Sequence, residues 1–202
     1  MASGDPGWRM APSRFLGIAT AVVLLDAFTK LLAVDRLTPA YVPHPVLGEW
    51  VRLTLVYNPG AAFGLHLGPY SRWLFMGLTL VALVVMWRLY RTGPSDAPWR
   101  TWALALVCGG AVGNLVDRIR SARGVVDFLD VGLGATRWPT FNVADIAVST
   151  GAVILAVVLW REEEDKVAAD RASAAAAPAA SSASADTGTG TGTGADVEAG
   201  AA

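Results

Sequence analysis

The chain has one cysteine, two histidines and few charges, with only 16% of its 202 residues being Asp, Glu, Lys or Arg. Cys108 alone cannot close an intrachain disulfide and, lying inside an apolar run, it reads as a small buried hydrophobe. His44 and His66 fall in one connecting stretch without a ligand-spaced partner, which argues against a zinc site or a histidine-based triad. A Gly-x-Ser-x-Gly elbow and a phosphate-binding glycine loop are also missing. The formal net charge is -1, and the basic residues, nearly all arginine, are scattered at the ends of apolar runs. That distribution does not suit a nucleic-acid partner.

Apolar surface is abundant, at 53% of residues, too much for an ordinary soluble domain. A helix needs about 20 apolar residues to cross a bilayer core. Residues 15–34, 73–90, 102–119 and 141–160 approach that length. The expectation is a mostly α membrane protein with four transmembrane helices. Trp73, Trp87, Tyr90, Trp99, Trp102 and Trp160 fall near the ends of these runs, where amphipathic rings favour the interface, and Arg72, Arg88, Arg91 and Arg161 reach water from the same levels. The first run carries Asp26 and Lys30 and is not followed by a convincing small-residue cleavage site, so it is expected to remain as a span.

Two connections are long, residues 35–72 and 120–140, and the one between them is a short polar turn with two prolines. Both long loops therefore belong on one side of the membrane, with residues 1–14 and the tail on the other. In the first loop, Trp50-Val51-Arg52-Leu53-Thr54-Leu55-Val56-Tyr57 is rich in β-branched and aromatic residues and partly alternates, which predicts a strand in a small β-rich region between the first and second helices. Asn58-Pro59-Gly60 then supplies a turn. Arginines divide nearly evenly between the two sides, so charge alone leaves the orientation open. The four-helix membrane domain is placed at residues 15–164. Residues 165–202, rich in Ala, Ser, Thr and Gly, are expected to be disordered, because they lack large apolar side chains to offset their ordering entropy.

Several polar residues lie where lipid disfavours them. Asp26 and Lys30 are one helical turn apart in the first span, either as an ion pair that orients the helix or as part of a site. Near the end of the third span, Asn114, Asp117 and Arg118 share a face, while Gly109 and Gly113, four apart, let another helix approach. Asp117 and Arg118 are also readable as a surface pair at a helix end. Asn142 and Asp145 repeat the i, i+3 pattern at the entrance to the fourth span, where Asn142 is also a candidate helix cap and Asp145 gains from the helix dipole. Asp127 and Asp130, taken singly, read as solvated loop acids, although Val125, Val126, Phe128 and Leu129 pull Asp127 towards the bilayer surface.

Taken in order, these motifs resemble those of the lipoprotein signal peptidases (signal peptidase II), bacterial membrane aspartyl proteases that process prolipoproteins. The resemblance covers residues 15–160. It rests on Asp26-Ala27-Phe28-Thr29-Lys30, Asn58-Pro59-Gly60-Ala61-Ala62-Phe63-Gly64, Gly113-Asn114-Leu115-Val116-Asp117-Arg118, Val126-Asp127-Phe128 and Phe141-Asn142-Val143-Ala144-Asp145. It implies that Asp127 and Asp145 form a catalytic dyad. Asp26, Lys30, Asn58, Gly60, Asn114, Asp117, Arg118 and Asn142 would support the site or bind substrate. The substrate implied is a diacylglyceryl-modified prolipoprotein, cut on the amino side of its lipidated cysteine without metal or organic cofactor. The family further implies cytoplasmic termini and a site near the outer face of the bacterial inner membrane; the chain is expected to act as a monomer in contact with membrane lipid. The competing readings are a small proton-coupled carrier or channel using the same intramembrane acids, and a non-catalytic scaffold. The lack of an internal repeat argues against a transporter.

Overall fold

The long apolar runs fold as helices because a backbone in hydrocarbon must satisfy its own N–H and C=O groups. The computed structural model describes residues 12–60, 68–93 and 97–183. Its helices are α1 (Pro12–Arg36), α2 (Ser71–Thr92), α3 (Pro98–Arg120) and α4 (Val143–Ala183). All four are long and apolar enough to span a membrane. Helix α3 is central. Ala103, Leu104 and Ala105 are fully buried on it, whereas Ser71 is the buried residue of α2. Small residues permit this packing. A Cβ on Gly109 would stand 2.9 Å from the Ala19 carbonyl oxygen of α1, and one on Gly110 would collide with the Ala144 carbonyl of α4. Gly109 and Gly113 thus act as the sequence predicts.

A four-stranded antiparallel sheet caps the long-loop end, in the order β1 (Pro43–Leu47), β2 (Val51–Asn58), β3 (Val125–Leu133) and β4 (Thr136–Arg137). The strand predicted at 50–57 is β2. The β-rich region is wider than the sequence suggested, since the second long loop contributes β3 and β4. Register pairs Val56 with Asp127 and Asn58 with Val125, which fixes Asp127 beside the end of β2. Beneath the sheet, Leu55 and Phe128 pack with Ala33 and Leu37 of the α1 end in a small core. The segment before α4 is tied to β3 by Phe128 and Leu129, whose N–H groups donate to the Phe141 carbonyl at 3.0 and 2.8 Å.

The chain divides into two compact units, Met1–Val158 and Leu159–Ala202, and α4 passes from the first into the second. This corrects one expectation. Residues 165–183, assigned to a disordered tail from composition, are helical. Alanine has the highest helix propensity, and Glu162 stands four residues before Lys166 in the favourable orientation. The rest of that tail, the segment 61–64 and His66 lie outside the described residues.

Candidate active site

The start of α4 is built by a reciprocal cap. Asn142 Oδ1 accepts the Asp145 N–H at 2.9 Å, and Asp145 Oδ2 accepts the Asn142 N–H at 3.2 Å. This is a capping box with Asp in the position usually held by Glu or Gln. The cap also faces the sheet, because the Asn142 amide nitrogen lies 2.7 Å from Asp127 Oδ1, 3.1 Å from Asn114 Oδ1 and 3.3 Å from the Val126 carbonyl. The sequence left capping and site-lining as alternatives for Asn142; its fully buried side chain both caps α4 and reaches Asp127, so the one does not exclude the other.

Asp127 and Asp145 are held in parallel ways by neutral amides. Asp127 accepts from Asn142 on one oxygen and from Asn58 Nδ2 at 3.2 Å on the other. Asp145 accepts from Asn114 Nδ2 at 2.7 Å on one oxygen and from the Asn142 backbone on the other. Asn58 is itself fixed by an Asx turn, its Oδ1 accepting the Gly60 N–H at 3.0 Å. Gly60 is required there. Its φ is +116°, and a Cβ would press to 2.9 Å from the Phe75 ring of α2.

The environments of the two acids differ. Asp127 is 2% exposed, while Asp145 is only partly covered. Burial raises the Asp127 pKa to about 7, the negative charge of Asp145 adds to this, and the Asn58 and Asn142 donors and the Lys30 charge oppose it. A carboxyl group that keeps a proton near neutrality beside a second, better-solvated carboxylate is suited to acid–base chemistry.

Behind the acids lies a buried ionic group. Lys30 Nζ is 2.7 Å from Asp26 Oδ2, 2.8 Å from Asp117 Oδ2 and 3.0 Å from Asn114 Oδ1. The Asp26–Lys30 pair therefore joins α1 to α3. Asp26 Oδ1 accepts the Ala144 N–H at 2.9 Å and so supports the α4 start. Arg118 donates to the Asn114 carbonyl at 3.2 Å and lies 5.5 Å from the Phe75 ring centroid. Its charge is felt by Asp145, Asp127 and Asp117. All ten candidate residues converge on one end of the helices. Among the described residues, no three His, Cys, Asp or Glu side chains come together in a way that would hold a metal ion.

Asp130 belongs to the sheet instead. Its carboxylate accepts from Arg137 at 2.6 Å and from the Thr54 hydroxyl at 3.1 Å. Sequence reasoning missed that anchor and one other. Arg72 donates to the Arg118 and Ile119 carbonyls at 2.6 and 3.2 Å, capping the end of α3 that carries Asn114 and Asp117. Gly134, in the turn after β3, was a usable signal for the first, since a hairpin there brings Arg137 back to Asp130. The second lies 46 residues from its partner and left no local signal.

Residues 18–161 match the family model described as Signal peptidase (SPase) II. The lipoprotein signal peptidase of Cupriavidus taiwanensis is 45% identical over 150 residues, which is 72% of this chain and 82% of the relative. That of Moorella thermoacetica is 40% identical over 141 residues, 70% of this chain and 89% of the relative. A solved bacterial membrane enzyme, determined by the in meso method, superposes with a TM-score of 0.69 at 25% identity, covering 78% of this chain and 94% of the other.

Proposed function

The chain belongs to the signal peptidase II family, and from that premise we propose that Asp127 and Asp145 are the catalytic dyad of an aspartyl endopeptidase. The multi-pass membrane peptidase then acts on a prolipoprotein whose cysteine already carries diacylglycerol, cleaving on the amino side of that cysteine. The acyl chains stay in lipid while the scissile peptide lies under the sheet.

The observation that carries this reading is the pairing of buried, proton-retaining Asp127 with partly exposed Asp145, each held by fixed amide donors. Asp145, ionised, takes a proton from a water molecule, whose oxygen bonds to the scissile carbonyl carbon. Asp127 gives its proton to the carbonyl oxygen. The tetrahedral intermediate collapses as the proton on Asp145 passes to the leaving nitrogen, the C–N bond breaks, and a proton returns to Asp127 as the carbonyl re-forms. Both carboxyls end as they began, with no cofactor consumed. Activity is expected to fall on the alkaline side as Asp127 loses its proton, with a midpoint near its pKa of about 7.

The test uses the detergent-solubilised full chain and a diacylglyceryl-modified precursor, with release of the signal peptide as readout. Asp127→Asn and Asp145→Asn are each expected to abolish release while the protein stays membrane-inserted. Near-wild-type turnover by either variant refutes the dyad. Equal rates on lipidated and unlipidated precursor refute the substrate assignment. The proposed setting is a monomer in the bacterial inner membrane, with cytoplasmic termini and the sheet on the outer face.

A further inference from the structure

Each proposed catalytic aspartate is preceded in the chain by a residue whose backbone N–H donates to a carboxylate, the buried Asp26 in one case and the partly buried Asp117 in the other. Ala144, before Asp145, donates to Asp26 at 2.9 Å, and Val126, before Asp127, donates to Asp117 at 3.2 Å. Those two carboxylates come from different helices and meet at one ammonium, Lys30, at 2.7 and 2.8 Å. The third partner of Lys30 is Asn114 Oδ1 at 3.0 Å, and the Asn114 amide holds Asp145 at 2.7 Å. An ammonium has three protons, and here each has one acceptor. No donor remains for substrate or water, and Lys30 is 4% exposed.

We propose that Lys30 is a positioning residue that sets the separation of Asp127 and Asp145 by clamping the backbone in front of each. This rests on the dyad reading. The strand and the helix that carry the two acids have no covalent reason to keep a fixed spacing, because residues 134–142 turn back between them. The Phe141 carbonyl and the Asn142 amide bridge β3 to the α4 start from one side, and the path Ala144–Asp26–Lys30–Asp117–Val126 adds a second link through charge-assisted hydrogen bonds. Helix packing is shaped around the clamp. A Cβ on Gly113 would sit 2.6 Å from Asp26 Oδ2, the oxygen that holds Lys30, so glycine is the residue that leaves the Asp26 carboxylate its place. An ion pair that served only to orient α1 in lipid would need one partner within the helix. Lys30 instead spends two of its three bonds on α3, at the residues that hold β3 and Asp145.

The charges that bear on Asp127 are Asp145 from α4, Lys30 from α1 and Arg118 from α3. Lys30 favours the ionised form of Asp127, so removing its charge raises the Asp127 pKa and carries the alkaline limb of the activity profile to higher pH. Loss of spacing acts on the chemical step and not on substrate capture, since a misplacement of about 1 Å lowers rate by up to about a hundred-fold.

The experiment measures kcat, KM and pH profile for the full chain in lipid-containing detergent micelles, with the diacylglyceryl-modified precursor as probe, for wild type, Lys30→Met and Gly113→Ala. Lys30→Met is expected to lower kcat by about ten-fold or more with KM within about two-fold, and to move the alkaline limb upward. Gly113→Ala, which keeps every charge but displaces Asp26, is expected to lower kcat at unchanged KM even if Lys30→Met fails to fold. Wild-type kcat in either folded variant overturns the proposal, as does a raised KM with unchanged kcat. A kcat loss matched by the loss of folded protein overturns it too. Asp127→Asn and Asp145→Asn run alongside keep the two readings apart. If either still turns over, the dyad fails; if both are silent and Lys30→Met is as fast as wild type, the clamp alone fails.

Discussion

Asp127 sits where an ionised carboxylate is disfavoured, and its stability consequence follows from that placement. Its pKa of about 7 in the folded protein stands above the ordinary value of 3.8. The folded state therefore binds the proton more tightly than the unfolded chain, and the residue's contribution to stability declines as pH rises across the window from about 4 to about 7. Above that window the buried charge opposes folding by an amount on the order of a few kcal/mol. Asparagine has no charge to desolvate. Asp127→Asn is accordingly expected to match or exceed the wild-type Tm at about pH 8 and to lose that advantage at about pH 5, measured by thermal unfolding in detergent. A variant destabilised equally at both pH values would contradict the burial argument. Such a gain in stability with a loss of activity is the usual trade at a site that holds a strained group for chemistry.

At the scale of elements, the division of labour within β3 is testable, because Asp127 and Asp130 lie on one strand and have different partners. Asp130 is fixed by Arg137 and Thr54. Arg137 also donates to the Glu49 carbonyl at 2.8 Å, so it staples β4 to the β1–β2 turn. Arg137→Met leaves a mostly buried Asp130 without its cation and is expected to lower stability by about 3 kcal/mol. The kcat of the folded fraction should stay near wild type, as read from chemical unfolding alongside turnover; a loss of kcat at full folding would place Asp130 in the site. The sequence revealed these elements unevenly, for physical reasons. The helices were legible because span length is imposed by the bilayer, and β2 was legible because it is rich in β-branched and aromatic residues and partly alternates. Strand β3 was not read as a strand, since Asp127 and Asp130 interrupt its apolar pattern and only the partners across the sheet make their burial tolerable. The continuation of α4 past residue 164 was obscured because an alanine-rich composition that cannot form a core can still form a helix. In the site, Asn-x-x-Asp spacing exposed two polar faces, but the convergence of Asn58, Asp127 and Lys30 on them depends on register and helix packing that no local pattern encodes.

For the whole molecule, topology ties function to a side of the membrane. Four spans and a sheet drawn from both long loops put every candidate site residue at the end opposite the α2–α3 turn. Arginines do not decide the orientation by count, but several on the sheet side are committed to structure. Arg72 caps α3, Arg118 faces the acids and Arg137 pairs with Asp130. On the other side Arg88, Arg91 and Arg161 stand at the ends of spans, where positive charge favours the cytoplasm. The proposed orientation therefore places the sheet outside. Cys108 is the single cysteine and is buried within α3, so a Cys108→Ala background permits new thiols to report on each side. Ala135, in the exposed β3–β4 turn, and Thr92, exposed at the end of α2, are suitable positions. Ala135→Cys is expected to react with a membrane-impermeant thiol reagent in intact cells, and Thr92→Cys only after the membrane is opened. The reverse pattern would put the carboxylates on the cytoplasmic side, where a precursor held at the outer face could not reach them, and the proposed substrate would fall with the orientation.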